Sequence, residues 1–383
     1  MKSLPKNIYL YVIAALAVAC APTSDAPVEP EGGDKPLAMG LYVTVSDELP
    51  SRATPEGDYN RGEGNENYID LTMGNPDVRV LVYDTDNRLV LDIDNPLVTP
   101  YESYTGSKTY LLQFEVDNDF REAFEGKSFK LVMMANFRHS YNVAANLSNL
   151  SVETGVRALY SGPPTPLVDT SDPIMMYGVS SFGNITFEKN MLNIMGTLHL
   201  LRAMAKIEVF DAPSSLPVKK VTLTRHNSEF YPVPANVTHQ DDYVKGNYDD
   251  DYTLRPTTGP TDEPFRYESA EPTVLNSIKD SNGLSHYIIY VPEYANLGVD
   301  GNPRLEDKRA RLKLDYETGS FFIDFKYYGG TNAGRHFNIM RNWWYRFEVN
   351  VGESSPEITV DVIPYAAVDL DPSFGICTDE CHH

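Results

Sequence analysis

Short runs of alternating apolar and polar positions, each closed by a cluster of turn formers, recur along most of this chain. Over residues 40–46, Leu41, Val43 and Val45 alternate with Tyr42 and Thr44. That period of two sends alternate side chains to opposite faces of a sheet and predicts a strand. Val78 to Tyr83 forms a second strand, Asp84 to Asn87 a turn, and Leu89 to Ile93 its hairpin partner. Thr109 to Val116 and Phe129 to Ala135 add two more, with a short helix between them. The pattern returns at 198–210, 218–224, 287–291, 310–316, 321–328, 344–351 and 358–363. Helical periodicity is scarce, with one candidate stretch over 140–160. Two breaker-rich segments interrupt the strands: a polar linker over 50–67 and an acidic, Pro/Gly-rich loop over 239–272. Many short strands between turn clusters predict a mainly β protein of two successive sandwiches, over 37–190 and 191–383.

The first nineteen residues break this pattern. Lys2 and Lys6 precede an apolar run from Ile8 to Ala19 that is too short to span a bilayer, and Ala17, Val18 and Ala19 are small or modest in size. Cys20 follows at once. That order is similar to a bacterial lipobox, which predicts cleavage after Ala19, acylation of Cys20 and export; a plain secretory signal is the alternative, and it also takes the chain out of the cytoplasm. Residues 20–36 are rich in Pro, Gly, Asp and Glu and read as a flexible tether.

Charge narrows the function. The 383 residues hold 32 Lys and Arg against 54 Asp and Glu, a net −22, and loss of Lys2 and Lys6 with the leader makes it −24. Nucleic-acid binding rests on cations that neutralise phosphates, so no nucleic-acid partner is expected. Only Cys20, Cys377 and Cys381 are cysteines. With Cys20 assigned to lipid, at most one disulfide remains, so packing rather than staples must hold the fold.

Several segments together resemble the fimbrillin superfamily of Bacteroidales pili. These are the lipobox, Arg52-Ala53-Thr54, the strand from Val78 to Asp84, Lys130 to Asn136, Pro173 to Gly178, Leu201 to Val209, Ile339 to Tyr345 and Val360 to Tyr365. The resemblance covers nearly the whole chain. It implies two tandem transthyretin-like β-sandwich domains with few short helices, in a pilus subunit carried to the outer membrane by the lipid on Cys20. It also implies that an Arg-specific, trypsin-like protease cuts the linker, at Arg52 or failing that at Arg61. The first strand then leaves, and a segment of another copy or another fimbrial subunit fills its slot. Leu41, Val43 and Val45 would be the side chains withdrawn; Val360, Val362 and Tyr365 are candidates for the donor. A second early cysteine, which the anchor branch of that family tends to carry, is absent.

Catalytic chemistry has few candidates. Gly178-Val179-Ser180 continues as Ser181-Phe182-Gly183, which lacks the spacing of a nucleophile elbow, and no His-Glu-x-x-His occurs. No enzyme activity, cofactor or resident metal is expected. Asp84-Thr85-Asp86 starts like a calcium loop, but its sixth and twelfth places hold Leu89 and Asn95 instead of Gly and Glu. Cys377, Cys381, His382 and His383 are zinc-ligand types at a spacing that fits no standard pair; a Cys377–Cys381 disulfide suits an oxidising compartment, and an unbridged tail stays open beside it. Trp343-Trp344 suggests either a sugar-stacking surface or, more ordinarily, one indole in the core and one outside. The rival to the fimbrial reading is a lipid-anchored surface glycan binder using exposed Trp and Tyr; an anchor or tip accessory role is the other.

Overall fold

The computed structural model describes residues 36–46, 69, 71, 77–136, 174–227 and 268–364, apart from a few positions inside those runs. Among the described residues, nine strands and one helix build a first sandwich. In chain order the elements up to the helix are β1 (Leu37–Ser46), β2 (Val78–Tyr83), β3 (Leu89–Ile93), β4 (Leu97–Tyr104), β5 (Ser107–Val116) and α1 (Asn118–Phe124). After it come β6 (Phe129–Ala135), β7 (Met176–Phe182), β8 (Leu192–His199) and β9 (Leu201–Arg202). One sheet has the order β4-β5-β1-β8, the facing one β3-β2-β6-β7-β9. Their shared core holds Leu41, Val43, Val80, Leu112, Leu131, Met133 and Leu198, all removed from solvent. Helix α1 starts where the Asp117 carboxylate accepts from Phe120 N at 2.8 Å, and it buries Phe120 and Phe124 against Phe129.

A second sandwich follows. It comprises β10 (Ala205–Asp211), β11 (Lys220–Leu223), β12 (His226–Asn227), β13 (Glu268–Ser269), β14 (Thr273–Val274) and β15 (Asn276–Lys279). Then come β16 (Ser285–Val291), β17 (Arg311–Tyr316), β18 (Gly319–Asp324), β19 (Trp343–Val351) and β20 (Pro356–Pro364). Its sheets run β15-β16-β10-β19-β20 and β14-β11-β17-β18, with β12 and β13 as a separate pair. Ile207, Val221, Ile289, Leu312, Ile323 and Phe347 fill the space between them. A third apolar cluster, with Leu81, Val132, Met134, Met175 and Tyr177 from one sandwich and Ile288 and Tyr290 from the other, joins the two.

Two expectations need correction here. The span 198–210 is not one strand: it is the end of β8, then β9, then β10. Leu200 N donates to Thr44 O and Ala203 N to Met175 O, so the chain is still bonded into the first sandwich there. The crossing into the second sandwich therefore comes after Arg202 rather than at 190/191, because β8 and β9 complete sheets of the first. The second correction concerns Trp343 and Trp344, which are both buried; Lys206 Nζ lies 4.8 Å from the Trp344 ring centroid. Neither indole is presented to a sugar.

The sequence landmarks meet in pairs. Asn136, at φ 60°, donates from its side chain to Ile174 O, tying the end of β6 to the segment that opens β7. Gly178 is needed in that segment because a Cβ there would lie 2.5 Å from His199 O. Across the junction, buried Arg202 donates from Nη1 to Asn342 Oδ1 at 3.2 Å, and Asn342 N donates to Met204 O. Asn342 has φ 58°, a left-handed conformation that Asn tolerates better than most residues.

One buried acid gives the second sandwich a pH signature. Burial pushes Asp211 from 3.8 up to about 6, against the opposing pull of the Val218 N–H and His286. The folded protein thus favours the neutral acid. Its contribution to stability is fully present below pH 3.8 and lost as pH rises through about 6. Asp211→Asn is expected to leave stability unchanged near pH 3.8 and to raise it at pH 8 by about 1 kcal/mol, discounted for partial solvent screening. Urea unfolding of both proteins across that range measures it.

Candidate functional site: the seat of the first strand

Strand β1 lies inside its sheet. All ten of its residues pair antiparallel with β5, from Leu37 opposite Val116 to Ser46 opposite Ser107. On its other side β1 runs parallel to β8, Ala38 opposite Leu192 through Thr44 opposite His199, with a register shift between Gly40 and Tyr42. A hydrogen bond closes each end of that second edge. The Asn193 side chain donates to Ala38 O at 3.1 Å, and Leu200 N donates to Thr44 O at 3.0 Å. Asn193 is itself held by the backbone of Glu188 and Met191.

The inward row of β1 is longer than its sequence suggested. Leu41, Val43 and Val45 are buried as expected, and Leu37 and Met39 continue the row, none of the five above 3% exposed. At roughly 1.5–3 kcal/mol per side chain, seating this row contributes on the order of 10 kcal/mol. Alternation at 37 and 39 was the signal for the extra turn of pattern, broken to the eye by Ala38 and Gly40. Gly40 is small for a reason: a Cβ there would meet Ile194 Cδ1 at 2.5 Å, because Ile194 and Leu192 lie over it on the outer face. Tyr42 shares that face and its ring packs 4.9 Å from exposed Tyr101.

Taking β1 away would strip backbone partners from β5 and β8 together and uncover Leu112, Phe114 and Leu198. The chain re-enters the same core at Ile69, which is buried and whose N–H donates to the Tyr110 hydroxyl at 3.1 Å. Arg52 and Arg61 fall between these two fixed points, outside the described residues, as do Ala19, Cys20, Tyr365, Cys377 and Cys381. Of the donor candidates, Val360 is half-buried on β20 and packs on the second core; Val362 pairs through its backbone with Tyr345. Among the described residues strand β20 is the edge of its sheet, bonded to β19 alone.

Of the acids singled out in sequence, Asp84 is occupied by its own turn and Asp86 is an exposed partner of Arg88 at 3.6 Å. Asp84 Oδ1 accepts from Asp86 N and Arg88 N, which makes the β2–β3 turn. A cavity of about 760 Å³ beside it is lined by Val90, Phe120, Phe124 and Lys127 among others. Among the described residues no group of three His, Cys, Asp or Glu side chains is placed to hold a metal ion. Ser180 is buried within β7, away from any strand-to-helix turn.

No family model and no curated protein matches the chain. Solved structures do. The tip fimbrial protein Mfa3 from Porphyromonas gingivalis, truncated at its C-terminus, is similar with 12% identity and a TM-score of 0.50, over 86% of this chain and 100% of that one. A fimbrial assembly protein from Parabacteroides distasonis shows 14% identity and a TM-score of 0.44, over 85% and 99%. The chain therefore has the fimbrillin-like β-sandwich fold expected from its sequence.

Proposed function

We propose that this chain is a structural subunit of a cell-surface fimbrium, exported as a lipoprotein on Cys20 and assembled by protease-triggered strand exchange. One observation carries the reading: the first described strand sits in mid-sheet with five buried side chains, and an Arg-bearing linker follows it in the sequence. A strand lost from that place leaves paired rows of orphan donors and acceptors over an apolar trench, which another extended segment of matching alternation can fill. The solved structures that share the fold include fimbrial proteins, which supports the same role and a location at the cell surface.

The linker makes the step directional. While it is intact, a strand that peels off is returned by its tether at an effective concentration in the millimolar range. Once Arg52 or Arg61 is cut, the strand leaves for good and a neighbour's segment competes on equal terms. Edge strand β20, which carries Val360 and Val362, is the candidate donor, because release costs it one row of pairs only. With both indoles buried, the glycan-binding alternative loses the Trp half of its motive.

Arg-specific protease added to the purified chain is expected to give a new N-terminus at Ala53 or just after Arg61, and SDS-resistant ladders on unboiled gels. Surface protein that keeps residues 20–52 throughout, or cut protein that stays monomeric, would overturn the reading.

A further inference from the structure

The sheet β14-β11-β17-β18 has one face in the core and one in water. Val221, Leu223, Leu312, Leu314 and Ile323 point inward, so their neighbours point out. Register then lays Val274, Thr222, Lys313 and Phe322 in a row across all four strands. Lys220 and Asp315 flank that row on one side, Arg311 and Asp324 on the other. Val274 is 46% and Phe322 45% exposed, and the Arg311 guanidinium lies 4.4 Å over the Phe322 ring.

This face carries excess positive charge. Asp324 alone is approached by Arg309 at 3.3 Å, Arg311 at 3.1 Å and Lys326 at 3.9 Å; Glu306 also meets Arg311. His336, which accepts from Arg309, is held below its usual range by burial and by that guanidinium, so it stays neutral. Residues 304–335 hold seven Lys and Arg against five Asp and Glu, while the rest of the chain holds 25 against 49. A cationic, partly apolar face thus stands on a body whose remaining charge is −24.

We propose that this outward face docks the acidic surface of a second copy of the chain. Charge complementarity selects the occupant: outside residues 304–335 a like protein carries 49 Asp and Glu against 25 Lys and Arg. Two unlike surfaces meet in such a contact, and a contact of that kind repeats into an open array rather than closing as a dimer. Its use in a fibre rests on the function proposed above, but the contact itself needs no cut and no exchanged strand.

The test uses the uncut full chain carrying Cys20→Ser, so that no acyl group drives association. Sedimentation velocity in about 10 mM and about 150 mM salt compares Debye lengths of about 30 and 8 Å. Self-association is expected at the lower salt, weakened at least about tenfold at the higher. Lys220→Glu with Lys313→Glu is expected to stay monomeric at both, and Phe322→Ser to associate more weakly with its charge unchanged, each unfolding at the parent's temperature. A monomeric parent at low salt, or a charge-reversed protein that associates like it, overturns the proposal. Heparin binding without self-association also overturns it, in favour of an anionic glycan. SDS-resistant ladders are scored separately: ladders without low-salt association sink this contact and leave strand exchange standing, and association without ladders does the reverse.

Discussion

Val43→Asp is expected to unfold the first sandwich while the second keeps its own thermal transition. Val43 lies mid-strand between Tyr110 on β5 and Leu198 on β8, with no solvent contact. The change removes about 2 kcal/mol of apolar burial and places a carboxyl where water cannot reach it. Either the acid is held neutral at several kcal/mol or the strand peels away, and the total exceeds about 4 kcal/mol against a domain stability of about 5–15. Thr44→Asp is the control one residue on. Its side chain points to the outer face, half-buried, beside the Thr109 hydroxyl at 3.3 Å, and its cost should stay near 1 kcal/mol. Hydrogen exchange should show β5 and β8 losing protection in Val43→Asp and keeping it in Thr44→Asp. Equal behaviour of the two would mean that β1 does not rest on its inward row, and strand exchange would lose its physical basis.

That alternation was the part of the fold most open to reading. β6 matches its sequence pattern from Phe129 to Ala135 because both faces are apolar and turn residues bound it on each side. β4 escaped, since Pro100 argues against a strand interior; it is accommodated at an edge, next to a register shift between Pro100 and Glu102. The parallel pairing of β1 with β8 could not be read at all. It joins segments about 155 residues apart, and nothing local in either encodes which neighbour it will have. Seating of Leu41, Val43 and Val45 was therefore legible as burial but not as a central position between two strands. The cationic face stayed hidden for the same reason: Lys220, Lys313 and Phe322 converge only once four strands are in register. Arg202 and Arg341 stood out as landmarks, yet sequence gave no cause for two guanidinium groups with no solvent exposure.

The cause is a polar junction inside the protein, and breaking it should be costly in a way that repairing it by size alone reveals. Arg341 Nη2 meets Glu293 Oε2 at 3.0 Å, both side chains almost wholly buried, and the adjacent Asn342 is the residue that binds Arg202 from the first sandwich. Glu293→Ala leaves the Arg341 cation in low dielectric without that carboxylate, which is expected to destabilise the second sandwich by about 3–5 kcal/mol. Arg341→Met combined with Glu293→Ala removes charge and counter-charge together, so most of that loss should return, less the cavity left by a shortened Glu293. Urea unfolding of the two single changes and the double gives the coupling directly. A double change no more stable than Glu293→Ala would show that Glu293 acts through its other contacts and not as the counter-charge of Arg341. With the coupling present, β19, which begins at Trp343, takes its position from a buried ion pair on one side and from the first sandwich on the other. The frame that holds candidate donor β20 is then fixed by the same few residues that fasten the two sandwiches together.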